Sequence, residues 1–270
     1  MPVLIVTDGA VDLPATLMGS ESLRVVPGKV WGGDARFDGG IAEFWSMLRR
    51  GYYPSTTPPT VQELARAYRH SGLVIAMHVS GRLSATLAHG KQAAELSESE
   101  VVLVDTGSLS VGAGLAVDAI HAAMLAESPR QVLVDRALRL PESLHTFALV
   151  QDVENLRRSK HAGLLPSHHL ARNHPLLLAI RGRVVPLGQA RSRKAAIDQL
   201  LAHVRHVAGR HLEGWAIGHG DASDIDAVVE NISDALELAP RFCTLLDPTV
   251  GAHLGPESLV VGVLSGASSL

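Results

Sequence analysis

The chain has 270 residues, 46% of them apolar, and carries 24 basic against 27 acidic side chains for a formal charge of -3. That is enough apolar material for two modest domains or one large one, and the evenly spread charge leaves no basic stripe, which excludes nucleic acid as a main partner. A lone cysteine, Cys243, can form neither an internal disulfide nor a cysteine-based zinc site, which points to a reducing, cytoplasmic setting.

At the amino end, Val3–Thr7 reads as a buried strand; no basic segment precedes it and its apolar run is too short for a secretion signal. Val25–Trp31, Val74–His78 and Val101–Asp105 read as further strands, and Val61–Arg69, Ser84–Leu96 and Gly112–Glu127 as helices, the first capped by Thr60. The alternation predicts parallel βαβ units with ligand-facing groups at the carboxyl ends of strands. After about residue 145 the rhythm changes. Thr146–Val150 is strand-like, Val153–Arg158 helix-like, and Arg181–Leu187 a turn-flanked segment. A helix over Ala195–Ala208, a strand over Gly214–Gly218, a helix over Ser223–Leu238 and closing strands over Arg241–Leu246 and Leu259–Leu264 follow. The expected fold is α/β in two domains: a parallel-sheet domain over 1–145 and a mixed-sheet α/β domain over 146–270. The longest apolar stretches, such as Leu176–Ile180, fall far short of the ~20 residues a membrane helix needs, so membrane contact is expected to be transient and peripheral.

Three segments could carry chemistry. Ser55, Thr56, Thr57 and Thr60 crowd four hydroxyls around Pro58 and Pro59 just before a helix start, a seat for an anion or simply a cap with a stiff turn. The run His78–Thr86 places Ser80, Gly81, Ser84 and Thr86 between a strand and a helix; Ser84 is either a donor to a ligand or the cap of that helix, and Gly81 loosens the backbone there. His253 stands between Gly251 and Gly255, which suggests a turn with its imidazole free to reach a neighbour.

These segments, in order, resemble the DegV family of bacterial fatty-acid-binding proteins. Thr7-Asp8-Gly9, Thr56-Thr57-Pro58-Pro59, Ser80 through Thr86, Val104-Asp105-Thr106 and Gly251-Ala252-His253-Leu254-Gly255-Pro256-Glu257 match five family motifs from about residue 3 to 264. The resemblance implies a long-chain, palmitate-like fatty acid buried between the domains, with no other cofactor and no metal. Thr56 and Ser84 would hold its carboxylate, with His253 close by and Thr57, Ser80, Gly81 and Thr86 around it. It also implies a non-catalytic role, in which the protein presents the acid to a fatty acid kinase that makes acyl phosphate for phospholipid synthesis. Pro58, Ala85 and Glu257 replace family residues, and Ser159-Lys160-His161-Ala162-Gly163 stands where the family has Gly-Gly-Arg-Ile-Ser.

Other readings compete. A serine-dependent acyl hydrolase or acyltransferase would use Ser84 as nucleophile, His253 as base and Asp8 or Asp105 as orienter, but no Gly-x-Ser-x-Gly elbow is present. His161, His168, His169 and His174 cluster in sequence without the spacing of a zinc helix. An aspartate-based phosphatase built on Asp8 lacks its partner two residues on, where Ala10 stands. Arg191, Arg193 and Lys194 form the densest basic cluster, at a helix start where the dipole disfavours cations, which makes them a candidate docking patch for an acidic partner.

Overall fold

A computed structural model describes residues 2–151, 153–158, 174–209 and 211–266. In chain order the elements are β1 (Val3–Asp8), β2 (Leu23–Val26), β3 (Lys29–Gly32), β4 (Ala35–Arg36), α1 (Ile41–Arg49), β5 (Ser55–Thr57), α2 (Val61–Ala67), β6 (Leu73–His78), α3 (Thr86–Glu95), β7 (Glu100–Asp105), α4 (Ser110–Leu125) and α5 (Arg130–Arg139). Then come β8 (Leu144–Leu149), α6 (Val153–Arg158), β9 (His174–Ile180), β10 (Arg183–Ala190), α7 (Arg193–Ala208), β11 (Leu212–His219), α8 (Ile225–Leu236), β12 (Phe242–Leu245), α9 (Pro248–Leu254) and β13 (Leu259–Ser265). A four-stranded sheet runs β2-β1-β6-β7, parallel throughout. A six-stranded sheet runs β10-β9-β8-β13-β11-β12 and is mixed, since only β11 and β12 are parallel neighbours. A small antiparallel sheet, β4-β3-β5, stands apart from both.

Side-chain alternation along the strands explains how these sheets stack. In the parallel sheet, Leu4, Val6, Val74 and Ala76 point to one face, where they pack with Leu64, Tyr68 and Ala93 of the α2–α3 side. Their neighbours Ile5, Leu73, Ile75 and Met77 point the other way, into a core shared with α4. The mixed sheet divides likewise. Leu144, Ala148, Val260 and Leu264 face α4, whereas Phe147, Leu149, Val261 and Val263 face α7 and α8. Helix α4 therefore lies between the two sheets, touching β13, β11 and β8 on one side and β1 and β6 on the other. Its sequence suits the place: Val111 through Val117 are all buried, a helix apolar nearly all round rather than on one stripe.

Three expectations need correction. The single strand expected over Val25–Trp31 is broken, because Pro27 has no N–H to donate to a ladder; β2 joins the parallel sheet and β3 the small one. Thr56 and Thr57 are in strand β5, with Thr56 opposite Val30, and not in a free loop. His253 is on helix α9, which starts at Asp247, whose carboxylate accepts from the Thr249 amide, with Pro248 in the first turn; Gly255, at φ 79°, ends it. Elsewhere the local signals hold. Thr60 and Glu63 form a reciprocal capping box at α2, and its hydrogen bonds, with Lys29, bring the Glu63 carboxyl down to about 2. Arg181 and Gly182, at φ 47° and 74°, make the two-residue turn between β9 and β10. The boundary expected at 145/146 falls inside β8.

Helix α4 and the mixed sheet approach each other closely in this stack. A Cβ on Gly262 of β13 would lie 2.8 Å from the Gly112 Cα, and one on Gly112 would run into the hydroxyls of Thr146 and Ser108. Those two hydroxyls are bonded to each other at 2.6 Å. Gly112→Ala is expected to cost about 1–3 kcal/mol of stability, as overpacking of a closed core does, read as a lower urea midpoint at unchanged slope.

Candidate functional site

The carboxyl ends of β1 and β6 bring Asp8 and His78 together in a fully buried chain. His78 Nδ1 lies 2.9 Å from Asp8 Oδ2, and His78 Nε2 lies 2.7 Å from the Tyr68 hydroxyl. A carboxylate only accepts, so Nδ1 carries a proton and donates to Asp8. Burial, with Asp8 nearby, pushes the Tyr68 phenol above its ordinary range. The Val79 amide also donates to Asp8, which fixes where the chain leaves β6 and enters the loop to α3.

That loop forms one end of a cavity of about 1050 Å³ of atom-free space, its mouth included. Ala10, Val79, Leu83, Ser84 and Thr86 line it from the parallel sheet's side. Thr146 and Ala148 of β8, Leu177 and Ala179 of β9 and Val184 of β10 line it from the mixed sheet. Each pair sits two residues apart on a strand and so shares a face. Thr56, Thr57, Pro58 and Pro59 from the β5 segment and Val250, His253 and Leu254 from α9 close it. The walls are thus mainly aliphatic, with Asp8 and Thr249 as further polar residues in the lining.

Five of the seven residues named for the head group line this cavity: Thr56, Thr57, Ser84, Thr86 and His253. Thr56 Oγ1 and His253 Nε2, 197 positions apart in sequence, are 2.9 Å apart. Ser84 Oγ is bonded to Thr86 Oγ1 at 2.9 Å and accepts from the Thr86 amide, so Ser84 serves the entry to α3 as well as facing the cavity. Ser80 and Gly81 are not among the lining residues. Ser80 is buried beneath the loop, its amide donating to the Ser108 carbonyl, and Gly81 is exposed. Sequence reading missed the β8 and β9 wall, where Thr146 pairs with Ala179 and Ala148 with Leu177; Thr146, a hydroxyl within an apolar strand, was the available signal.

The hydrolase arrangement is not assembled. Ser84 bonds to Thr86, His253 to Thr56, and Asp8 to His78, while Asp105 accepts from the Gly107 amide. Among the described residues no group of three or more His, Cys, Asp or Glu side chains could hold a metal ion, and no helix is long and apolar enough to cross a membrane. His161, His168 and His169 and the segment Ser159–Gly163 lie outside the described residues. Arg193 of the basic cluster is held inward: its guanidinium grips both carboxylate oxygens of Asp224 and donates to the Glu257 carbonyl, and this pairing keeps the Asp224 carboxyl low. Lys194 pairs with Asp198 one turn on, and Arg191 is exposed. Glu257, standing where the family turn ends in glycine, keeps a left-handed φ of 59° and accepts from Ser223.

Helix α9, which carries His253, is tied to the β1 end by a buried acid. Asp12 accepts from the Asp247 amide through Oδ1 and from the Ser110 hydroxyl through Oδ2, both at 2.6 Å. Ser110 is held there at φ 53°. Burial raises the Asp12 carboxyl to about 7 against the opposing Ser110 bond, and burial also raises the Asp247 carboxyl.

Two stacked sheets around a mainly apolar cavity lined by several hydroxyls define an α/β pocket protein. A family model described as "Uncharacterised protein, DegV family" matches residues 2–266, and the chain belongs to the DegV family. A DegV domain-containing protein of Deinococcus radiodurans is 28% identical over 285 residues, covering 97% of this chain and 98% of that protein. One from Mycobacterium tuberculosis is also 28% identical over 285 residues, covering 99% of each. Among solved structures, "Fatty Acid Binding of a DegV family Protein from Thermus thermophilus" aligns over 98% of this chain and 100% of that one, with a TM-score of 0.86 and 25% identity. DegV from Bacillus subtilis, described as a fatty acid binding protein, shares the fold at a TM-score of 0.86 and 18% identity, over 98% and 100% of the two chains.

An acid whose folded-state value is raised weakens the fold once it ionises. The native state holds the Asp12 proton between about 4 and 7 while the unfolded chain has released it, so this group's contribution falls as pH rises through that window and is fully lost above it. The full difference is on the order of 4 kcal/mol for roughly three pH units. Asp12→Asn should therefore gain stability relative to the parent more at pH 8 than at pH 5, measured by urea unfolding at both; an equal difference at the two pH values would remove the buried-acid account.

Proposed function

We propose that the chain binds a long-chain fatty acid, with the acyl chain in the aliphatic cavity and the carboxylate at its hydroxyl-bearing end. The observation that carries this reading is that Thr56, Ser84, Thr86 and His253 all line one cavity whose remaining walls are mainly aliphatic, with Asp8, Thr57, Thr146 and Thr249 as its other polar residues. Because a carboxylate only accepts, Thr56 would donate to it while accepting from His253 Nε2, which orients both side chains; Ser84, backed by Thr86, would donate from the other side. Thr57 adds a further hydroxyl at the rim, whereas Ser80 and Gly81 act by shaping the loop that carries Ser84. The fatty acid binding described for the Thermus thermophilus relative supports the same reading.

Magnitudes separate the two parts of the site. A sixteen-carbon acid buries about fourteen methylenes at ~0.8 kcal/mol each, on the order of 11 kcal/mol before the entropy of ordering is subtracted. Each charge-assisted hydrogen bond adds only roughly 1.5–3 kcal/mol. Chain burial sets affinity and length preference; the hydroxyls set orientation.

In this reading the chain is a cytoplasmic binding subunit that presents the acid to a fatty acid kinase supplying acyl phosphate for phospholipid synthesis. We read the chain as two structural units, 1–145 built on the parallel sheet and 146–270 built on the mixed sheet. With Arg193 engaged by Asp224, the exposed Arg191 and Lys194, the latter in a surface pair with Asp198, are the side chains of the basic cluster that would meet an acidic partner.

Thr56→Val and Ser84→Ala should still carry lipid in native mass spectrometry but release it at least tenfold faster to an acceptor, whereas Ala179→Trp, which fills the cavity, should leave the protein empty. If both hydroxyl variants hold and release lipid as the parent does, the head-group assignment is wrong; if Ala179→Trp remains loaded, so is the cavity assignment. Charge reversal at Arg191 and Lys194 should lower acyl phosphate formation by an added kinase severalfold at unchanged lipid content, and unaltered turnover would exclude this docking patch.

A further inference from the structure

Among the described residues that line the acyl cavity there is no lysine or arginine, and the ionisable side chains are Asp8 and His253. Asp8 is 1% exposed and accepts from the Ala10 and Val79 amides and from His78 Nδ1. Two further acids stand behind it, Asp247 at the start of α9 and Asp12, which accepts from the Asp247 amide. Helix α9 packs against α1, α6, β3 and β5. Strand β5 carries no charge; the others carry Glu43 and Arg49 on α1, Glu154, Arg157 and Arg158 on α6, and Lys29 on β3. Their cations are matched by carboxylates: Arg49 by Asp221, Lys29 by Glu63, and both α6 arginines by Glu154. On the α3 side, His89 Nδ1 meets the Pro59 carbonyl.

A fatty carboxylate entering this cavity therefore adds a second negative charge beside Asp8, in an apolar setting where an unbalanced charge is costly and a proton shift relieves it. The lining residue able to take that proton is His253, half-buried, with Nε2 2.9 Å from Thr56 Oγ1. We propose that the cavity takes up one proton from solvent with each fatty acid and that His253 holds it, as the imidazolium counter-ion of the bound carboxylate. The inference rests on the fatty-acid reading and adds to it how the head-group charge is balanced. Thr56 has one hydrogen; donating it to the carboxylate means accepting from His253, so Nε2 is protonated in the neutral ring and the added proton goes to Nδ1. The Thr56 hydroxyl then joins the two charges. A proton held more tightly in the complex favours binding below the ordinary imidazole value of about 6.5, and this help is lost as pH rises through the value in the complex. Across that window affinity falls about tenfold per pH unit.

The test is calorimetric titration of the full-length protein, stripped of lipid, with dodecanoate at pH 8 in buffers of different ionisation enthalpy, and with dodecanol as the uncharged comparison. The dependence of the heat on the buffer counts the protons. Close to one proton per dodecanoate and none per dodecanol is the expected result. His253→Gln should abolish the uptake and weaken dodecanoate at least tenfold more than dodecanol. Asp12→Asn removes the other buried group that titrates near neutrality and should leave the uptake in place. No uptake by the parent, uptake that survives in His253→Gln, or uptake that disappears in Asp12→Asn overturns the inference. Dodecanoate bound without a proton sinks this inference alone, whereas a protein that binds neither ligand sinks the fatty-acid reading and the inference with it.

Discussion

The contact on which the molecule depends is the approach of α4 to the mixed sheet through Gly112 and Gly262. With no side chain at either position, the helix backbone lies almost on the strand, and the Ser108–Thr146 hydrogen bond closes the contact at the helix entrance. The position of α4 in turn fixes the gap between the sheets, because the helix packs against β1 and β6 on its other side. Thr146 belongs both to this contact and to the cavity wall, so the tight part of the interior and its open part share a residue.

A close-packed interior does not leave a large void by accident. Here the void lies beyond the end of the shared core, where the β6–α3 loop, the β5 segment and α9 replace further packing. Each of these is held by polar bonds away from the apolar wall. The Asp8–His78–Tyr68 chain sets the start of the loop, the pairing of β5 with β3 sets Thr56, and the Asp12–Asp247 clamp sets α9. The buried acid at Asp12 loosens the fold as it ionises, a cost spent on holding the helix that carries His253. Stability and site geometry are therefore opposed at this residue, as is common where function fixes a strained or buried polar group.

Much of this was legible from residues alone, wherever the governing interaction is local. Short β-rich apolar runs marked β1, β6, β7 and β13, Thr60 announced α2, and the ordered hydroxyl motifs named Thr56, Ser84 and His253 as belonging to one family pattern. Local signals misled where a local choice has two outcomes: Gly251 and Gly255 around His253 suggested a turn, although Asp247-Pro248 was there to start a helix, and Val25–Trp31 looked continuous despite Pro27. The sequence by itself determined which segments become strands and helices and which carry hydroxyls, because those follow from propensity, patterning and caps within a few residues. Only the tertiary structure decided that Thr56 meets His253 and not a catalytic serine, and that Arg193 is spent on Asp224. Those facts depend on chain segments tens to hundreds of residues apart arriving at the same place, which no local pattern encodes.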